Sequence, residues 1–98
     1  MGNSYKRIKS VNTALDILEY VAESPDGASA HRIGQDLNIP FATIMCHLAT
    51  LGDRAYVRRI GDVYQVGMKL AVYWARVKSR KENEIIRRQD DLALLGDR

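Results

Sequence analysis

Apolar positions recur at helical spacing through the first half of the chain and then switch to strand-forming runs. Val11, Leu15, Leu18 and Ala22 share one face at spacings of four, three and four, and Ile17 and Val21 widen that stripe. This is the pattern of a helix packed on a core, running from a cap at Ser10 or Asn12 to about Ala22. Glu23, Ser24, Pro25, Asp26 and Gly27 then supply turn chemistry that stops it. Ser29 is a suitable cap for a second helix, because its hydroxyl can accept from the free N–H groups of the first turn. Ile33 and Leu37 give that helix a core-facing stripe, and Asn38 suits a left-handed ending. Ile39 is placed to fold back on the helix it leaves, and Pro40 is tolerated where the next one opens. Ile44, Leu48 and Leu51 form the buried stripe of this third helix. Two helices joined by about three residues have the spacing of a helix-turn-helix.

Tyr56 to Ile60 and Val63 to Val66 follow, rich in strand-forming residues, with Gly61 and Asp62 between them as a hairpin loop. Three helices and a two-stranded hairpin have the layout of a winged helix. Met68 onwards reads as helix again, with Leu70, Tyr73 or Trp74, and Val77 on one side. The apolar signal fades from Lys78 to Glu84 and returns at Ile85, Ile86, Leu92, Leu94 and Leu95. Glu84 and Arg88, four apart, favour helix across the second part. The tail is therefore one long helix or two with a hinge near Ser79. The expected fold is mainly α with a small β-hairpin. Residues 1–9 form a basic arm, 10–67 a winged helix-turn-helix domain and 68–98 a helical extension.

Composition narrows the function. Ninety-eight residues with 46% hydrophobic and 28% charged positions describe one ordinary globular domain, with room for one small core. A single cysteine, Cys46, excludes an internal disulfide framework and a four-cysteine zinc site. No apolar run approaches the roughly 20 residues needed to cross a bilayer. Lys6 stands where a myristoylation signal requires Ser or Thr. The sequence implies a soluble, cytoplasmic protein. Net charge is +3, and its distribution is more informative than its sum. Cations gather at Lys6, Arg7 and Lys9, at Arg54, Arg58 and Arg59, and along Arg76 to Lys81. Around a helix-turn-helix such clusters read as phosphate contacts. His31 and Arg32, at the opening of the second helix, add to them.

Val11 to Tyr73 resembles the N-terminal winged-helix domain of the IclR family of bacterial transcription regulators. The matching residues are Ala14-Leu15-Asp16-Ile17-Leu18-Glu19, Ser29, Pro40, Thr43, Leu48-Ala49-Thr50-Leu51, Arg54-Ala55-Tyr56-Val57 and Tyr64-Gln65-Val66-Gly67. The resemblance implies a regulator that binds double-stranded DNA as a homodimer. Family members continue into a larger ligand-binding domain, so the sequence is either a regulator reduced to its DNA-binding half or a piece of a longer protein. In either case no small-molecule effector is implied.

One departure from the family concerns the recognition helix. Polar or basic residues are usual after the proline. Here the outward positions are Phe41, Ala42, Thr43, Met45 and Cys46, with Thr50 further along. Such a face lacks bidentate partners for guanine or adenine. Apolar contact with thymine methyls, or readout of DNA shape, remains open to it. The alternative is that the same face binds protein, making the chain an anti-repressor or inhibitor module. His47 is expected to be half-buried with one nitrogen satisfied, and Cys46 to be an inert thiol. Leu70, Trp74, Val77, Ile85, Leu92 and Leu95 are the expected dimerisation residues. Cys46 and His47 are adjacent and point about 100° apart on a helix, so they make no nucleophile and base. No phosphate loop, metal-spaced cluster or paired carboxylates point to catalysis, a metal or a cofactor.

Overall fold

Helix α1 (Lys9–Ala22) begins one turn earlier than capping residues in the sequence suggest. Ile8 precedes it without a side-chain cap, and Ser10 and Asn12 both lie inside the helix. Thr13 Oγ1 donates to Lys9 O at 3.0 Å. The buried face also differs from the expected one. Ile17 and Val21 are buried, with Leu18 and Tyr20 packed against the core, whereas Val11, Leu15 and Ala22 are exposed. The helix carries two apolar stripes whose centres lie about 100° apart at 3.6 residues per turn. Tertiary packing selected the stripe through Ile17 and Val21. The computed structural model describes residues 4–96, with side chains as far as Ala93.

Helix α2 (Ala30–Leu37) opens as its sequence dictates, with Ser29 Oγ accepting from the Arg32 N–H at 3.2 Å. It closes on Asn38, which takes the left-handed conformation at φ 57° and ψ 49°. The Ile39 N–H bonds Gly34 O at 2.9 Å and the Asn38 N–H bonds Gln35 O at 3.3 Å, the paired bonds of a Schellman turn. Ile39 then packs back on the core. Helix α3 (Phe41–Asp53) starts directly after Pro40, whose carbonyl accepts from the Ile44 N–H at 3.0 Å. It also ends in a Schellman turn: Tyr56 N–H to Leu51 O at 2.9 Å and Ala55 N–H to Gly52 O at 3.0 Å. The left-handed position here is Ala55, at φ 64°, where glycine is the usual occupant.

Strands β1 (Val57–Ile60) and β2 (Val63–Val66) pair antiparallel, Val57 opposite Val66 and Ile60 opposite Val63. Gly61 occupies the first loop position at φ 61°, a conformation that costs glycine little. Ala28 adds a bridge on the other side of β2, exchanging two backbone hydrogen bonds with Tyr64 at 2.8 and 3.0 Å. The core gathers Ile17 and Val21 of α1, Ile33 of α2, Ile44 and Leu48 of α3, Val57 of β1 and Tyr64 of β2. Each buried aliphatic side chain contributes about 1.5–3 kcal/mol over an exposed one, so truncating Ile33 to alanine would cost about 2–5 kcal/mol. Among the described residues no charged or polar side chain is buried.

This winged helix-turn-helix is one compact unit, ending at Met68. Lys69 onward forms a second. Helix α4 (Met68–Gly96) is a single helix of 29 residues, about 43 Å long, with no break at Ser79. The polar stretch from Lys78 to Glu84 contains neither Gly nor Pro, so nothing in the backbone interrupts it. Among the described residues no helix is long and apolar enough to cross a membrane.

Candidate nucleic-acid interface

Helix α3 presents two different surfaces. Ile44 and Leu48 fix its inner side in the core, and this leaves Phe41, Ala42, Thr43, Cys46 and Thr50 exposed. Met45, expected on the outward face, is half-buried and packs partly against the core. Thr50 Oγ1 donates its hydrogen to Cys46 O at 2.9 Å, so it is committed within the helix. Thr43 makes no side-chain hydrogen bond among the described residues. His47 is half-buried, with Nδ1 2.9 Å from Thr43 O, which fixes one ring nitrogen as expected.

A groove of about 490 Å³ separates α3 from the hairpin, lined among others by Met45, Ala49, Asp53, Arg58, Arg59 and Tyr64. It places the two wing arginines across from the exposed side of α3. Both arginines are exposed. Arg59 Nε donates to Gly61 O at 2.8 Å, so its guanidinium folds over the hairpin loop, while Arg58 has no partner among the described residues. Asp53 brings a negative charge to the same groove, which the charge clusters of the sequence did not reveal. Arg54 is exposed at the end of α3.

The opening of α2 flanks the other end of α3. The ring of His31 stacks on that of Phe41, with centroids 4.3 Å apart and planes 14° from parallel. The two lie ten positions apart in sequence with a turn between them, so no helical spacing pairs His31 with Phe41. Arg32 is exposed beside this stack, with Nε 4.0 Å from Asp36 Oδ2. Exposed i,i+4 pairs of this kind contribute a few tenths of a kcal/mol, so the guanidinium remains available. Asp36 Oδ2 also accepts from the Tyr20 hydroxyl. That bond, more than the partial burial of the ring, raises the Tyr20 pKa above its ordinary value.

Of the basic arm, Lys6 and Arg7 are exposed and precede α1, while Lys9 is its first residue. Met1 to Asn3 lie outside the described residues. On α4, Leu70 is half-buried, and Trp74, Val77, Ile85 and Leu92 are exposed. The Leu95 side chain lies outside the described set. No group of three or more potential metal ligands occurs among the described residues.

The fold is shared with solved structures. The IclR of Thermotoga maritima superposes with a TM-score of 0.68 at 23% identity, covering 76% of this chain and 30% of that one. The Agobacterium tumefaciens repressor BlcR gives 0.61 at 23% identity, covering 70% and 28%. An IclR family transcriptional regulator from Brucella abortus gives 0.62 at 17% identity, covering 80% and 32%. The chain thus spans about a third of the length of these proteins, of which the second is named a repressor and the third a transcriptional regulator. No protein-family profile matches the chain, and no curated protein matches it.

Proposed function

We propose that the chain is a DNA-binding transcription regulator that acts as a homodimer in the cytoplasm. The observation that carries this reading is the setting of α3. Its exposed face runs from the His31–Phe41 stack, beside Arg32, to the groove bounded by Arg58 and Arg59. A helix of this kind enters a major groove while the cations on either side engage phosphates of the two strands. Lys6, Arg7 and Lys9 supply a further set of phosphate contacts from the arm and the first turn of α1.

Dimerisation is assigned to α4. On an ideal helix Leu70, Trp74, Val77, Ile85, Leu92 and Leu95 fall within an arc of about 80°, interrupted by Lys81 and Arg88. A helix about 43 Å long with such a stripe is suited to packing against its own copy. The outward stripe of α1, with Val11 and Leu15 exposed and Ile8 exposed just before the helix, provides a second apolar surface for the same purpose.

Arg58→Ala and Arg59→Ala test the wing contacts in a fluorescence anisotropy salt series. Each lost phosphate contact lowers affinity for all sequences alike and flattens the slope of log K against log salt by about one unit. Unchanged affinity and slope would remove the wing from the interface. A second reading keeps the fold and assigns the exposed Phe41, Ala42 and Cys46 to a protein partner, as in an anti-repressor. It is favoured by the low polarity of that face, and it predicts no salt-dependent binding to any duplex.

A further inference from the structure

Apart from the exposed hydroxyl of Thr43, the outward side chains of α3 offer base edges almost nothing to bond with. Ala42 and Ala49 carry no polar atom, Met45 and Cys46 only a weakly interacting sulfur, and Thr50 has committed its hydroxyl hydrogen to Cys46 O. Direct readout by the rest of this face is then apolar. The apolar feature that distinguishes one base pair from another in the major groove is the 5-methyl group of thymine. Phe41, in the first turn of α3, is the large side chain placed to meet it, with 46% of its surface exposed. The first turn is also where a recognition helix approaches the bases most closely.

An exposed phenylalanine usually samples several rotamers, which weakens discrimination. Here one face of the Phe41 ring is covered by His31 at 4.3 Å, near-parallel, and the two rings form a plate. Beside it lies a hollow of about 180 Å³ lined by His31, Gly34, Gln35, Ile39 and Phe41. We propose that the His31–Phe41 plate reads thymine: Phe41 packs on the 5-methyl group in the major groove, and His31 is the positioning residue that holds the ring. Guanine, adenine or cytosine at that step would leave polar base-edge atoms covered by the ring and unbonded, which disfavours them. This rests on the DNA-binding reading above and adds the base that is recognised.

The test starts from duplexes selected by the full chain from a random-sequence library. Each thymine of a selected duplex is replaced in turn by deoxyuridine, which removes only the methyl group, and affinity is measured by fluorescence anisotropy. The wild-type chain should lose about fourfold at one position of each half-site, the value of one buried methyl group. Phe41→Ala, an exposed substitution whose folding is checked by circular dichroism, should bind the thymine and deoxyuridine duplexes equally. His31→Ala should reduce the ratio and His31→Phe, which preserves the stack, should restore it. A ratio of one at every thymine, or a ratio that survives Phe41→Ala, would overturn the proposal while leaving DNA binding in place. Failure to bind any duplex at low salt would overturn the DNA-binding reading and this proposal with it.

Discussion

Replacing Gly34 by alanine sets two opposed effects against each other at the turn of the helix-turn-helix. Gly34 lies inside α2, where alanine is favoured over glycine by about 1 kcal/mol through helix propensity and a less flexible unfolded chain. A Cβ built on Gly34, however, would sit 2.9 Å from Ile39 O and 3.5 Å from Ile44 Cγ1. The second is ordinary contact. The first is closer than real Cβ atoms approach, and the atom it meets belongs to the backbone. Ile39 cannot swing away freely, because its N–H is bonded to Gly34 O and Pro40, which follows, holds the first turn of α3. Relief means loosening the turn, at about 1 kcal/mol for a weakened hydrogen bond and about 1–3 kcal/mol for the displaced packing. The clash wins by about 1–3 kcal/mol. For a domain of this size each kcal/mol moves Tm by about 4–8 °C, so Gly34→Ala should melt roughly 5–25 °C below wild type. Thermal unfolding followed by circular dichroism at 222 nm measures this. A Tm equal to or above that of the wild type would show that the turn relaxes without cost, and the close approach would then not be a requirement of the fold.

Further expectations follow from the same geometry. Gly67→Ala should be harsher, about 3 kcal/mol, because its Cβ would overlap Ala55 O; a change under 1 kcal/mol in urea unfolding would contradict this. Ala55→Gly should raise stability by about 0.5–1 kcal/mol, since it removes the strain of a left-handed alanine; a lower Tm would refute the assignment. Tyr20 has a pKa raised by its bond to Asp36, so the folded state prefers the neutral phenol. Its contribution to stability is present below the unfolded value near 10 and is lost as pH rises through the higher folded value. Asp36→Ala should return the Tyr20 titration, followed by NMR, towards 10, and an unmoved titration would exclude Asp36 as the cause. Trp74→Glu with Val77→Glu should convert a dimer to a monomer by sedimentation, and an unchanged mass would free α4 from that role.

Where a single residue type forces a local conformation, the sequence was legible. Ser29 caps α2 because its hydroxyl has few competing uses there, and Asn38 ends it because few other residues accept positive φ. Gly61 marks the hairpin loop for the same reason. Where two patterns coexist, local spacing could not choose between them. Helix α1 carries an apolar stripe through Val11 and Leu15 and another through Ile17 and Val21, and only the packing of α2, α3 and the wing decides which is buried. Ala55 was hidden because alanine is no signal for a left-handed residue; the strain is imposed by the turn from α3 into β1. The bridge from Ala28 to Tyr64 and the stack of His31 on Phe41 join residues distant in sequence and leave no periodic trace. The character of the α3 face, by contrast, was plain from Phe41, Ala42 and Cys46 alone, and the structure confirms their exposure.

The central claim is that α3 and its flanking cations bind duplex DNA, and binding of the wild-type chain to a random-sequence duplex across a salt series tests it most directly. Anisotropy gives the affinity, and sedimentation on the same sample gives the mass. Affinity that falls steeply with salt, from a dimer, is the predicted result, with several phosphate contacts expressed in the slope. No binding even at low salt would contradict the account, and the exposed face of α3 would then belong to a protein partner.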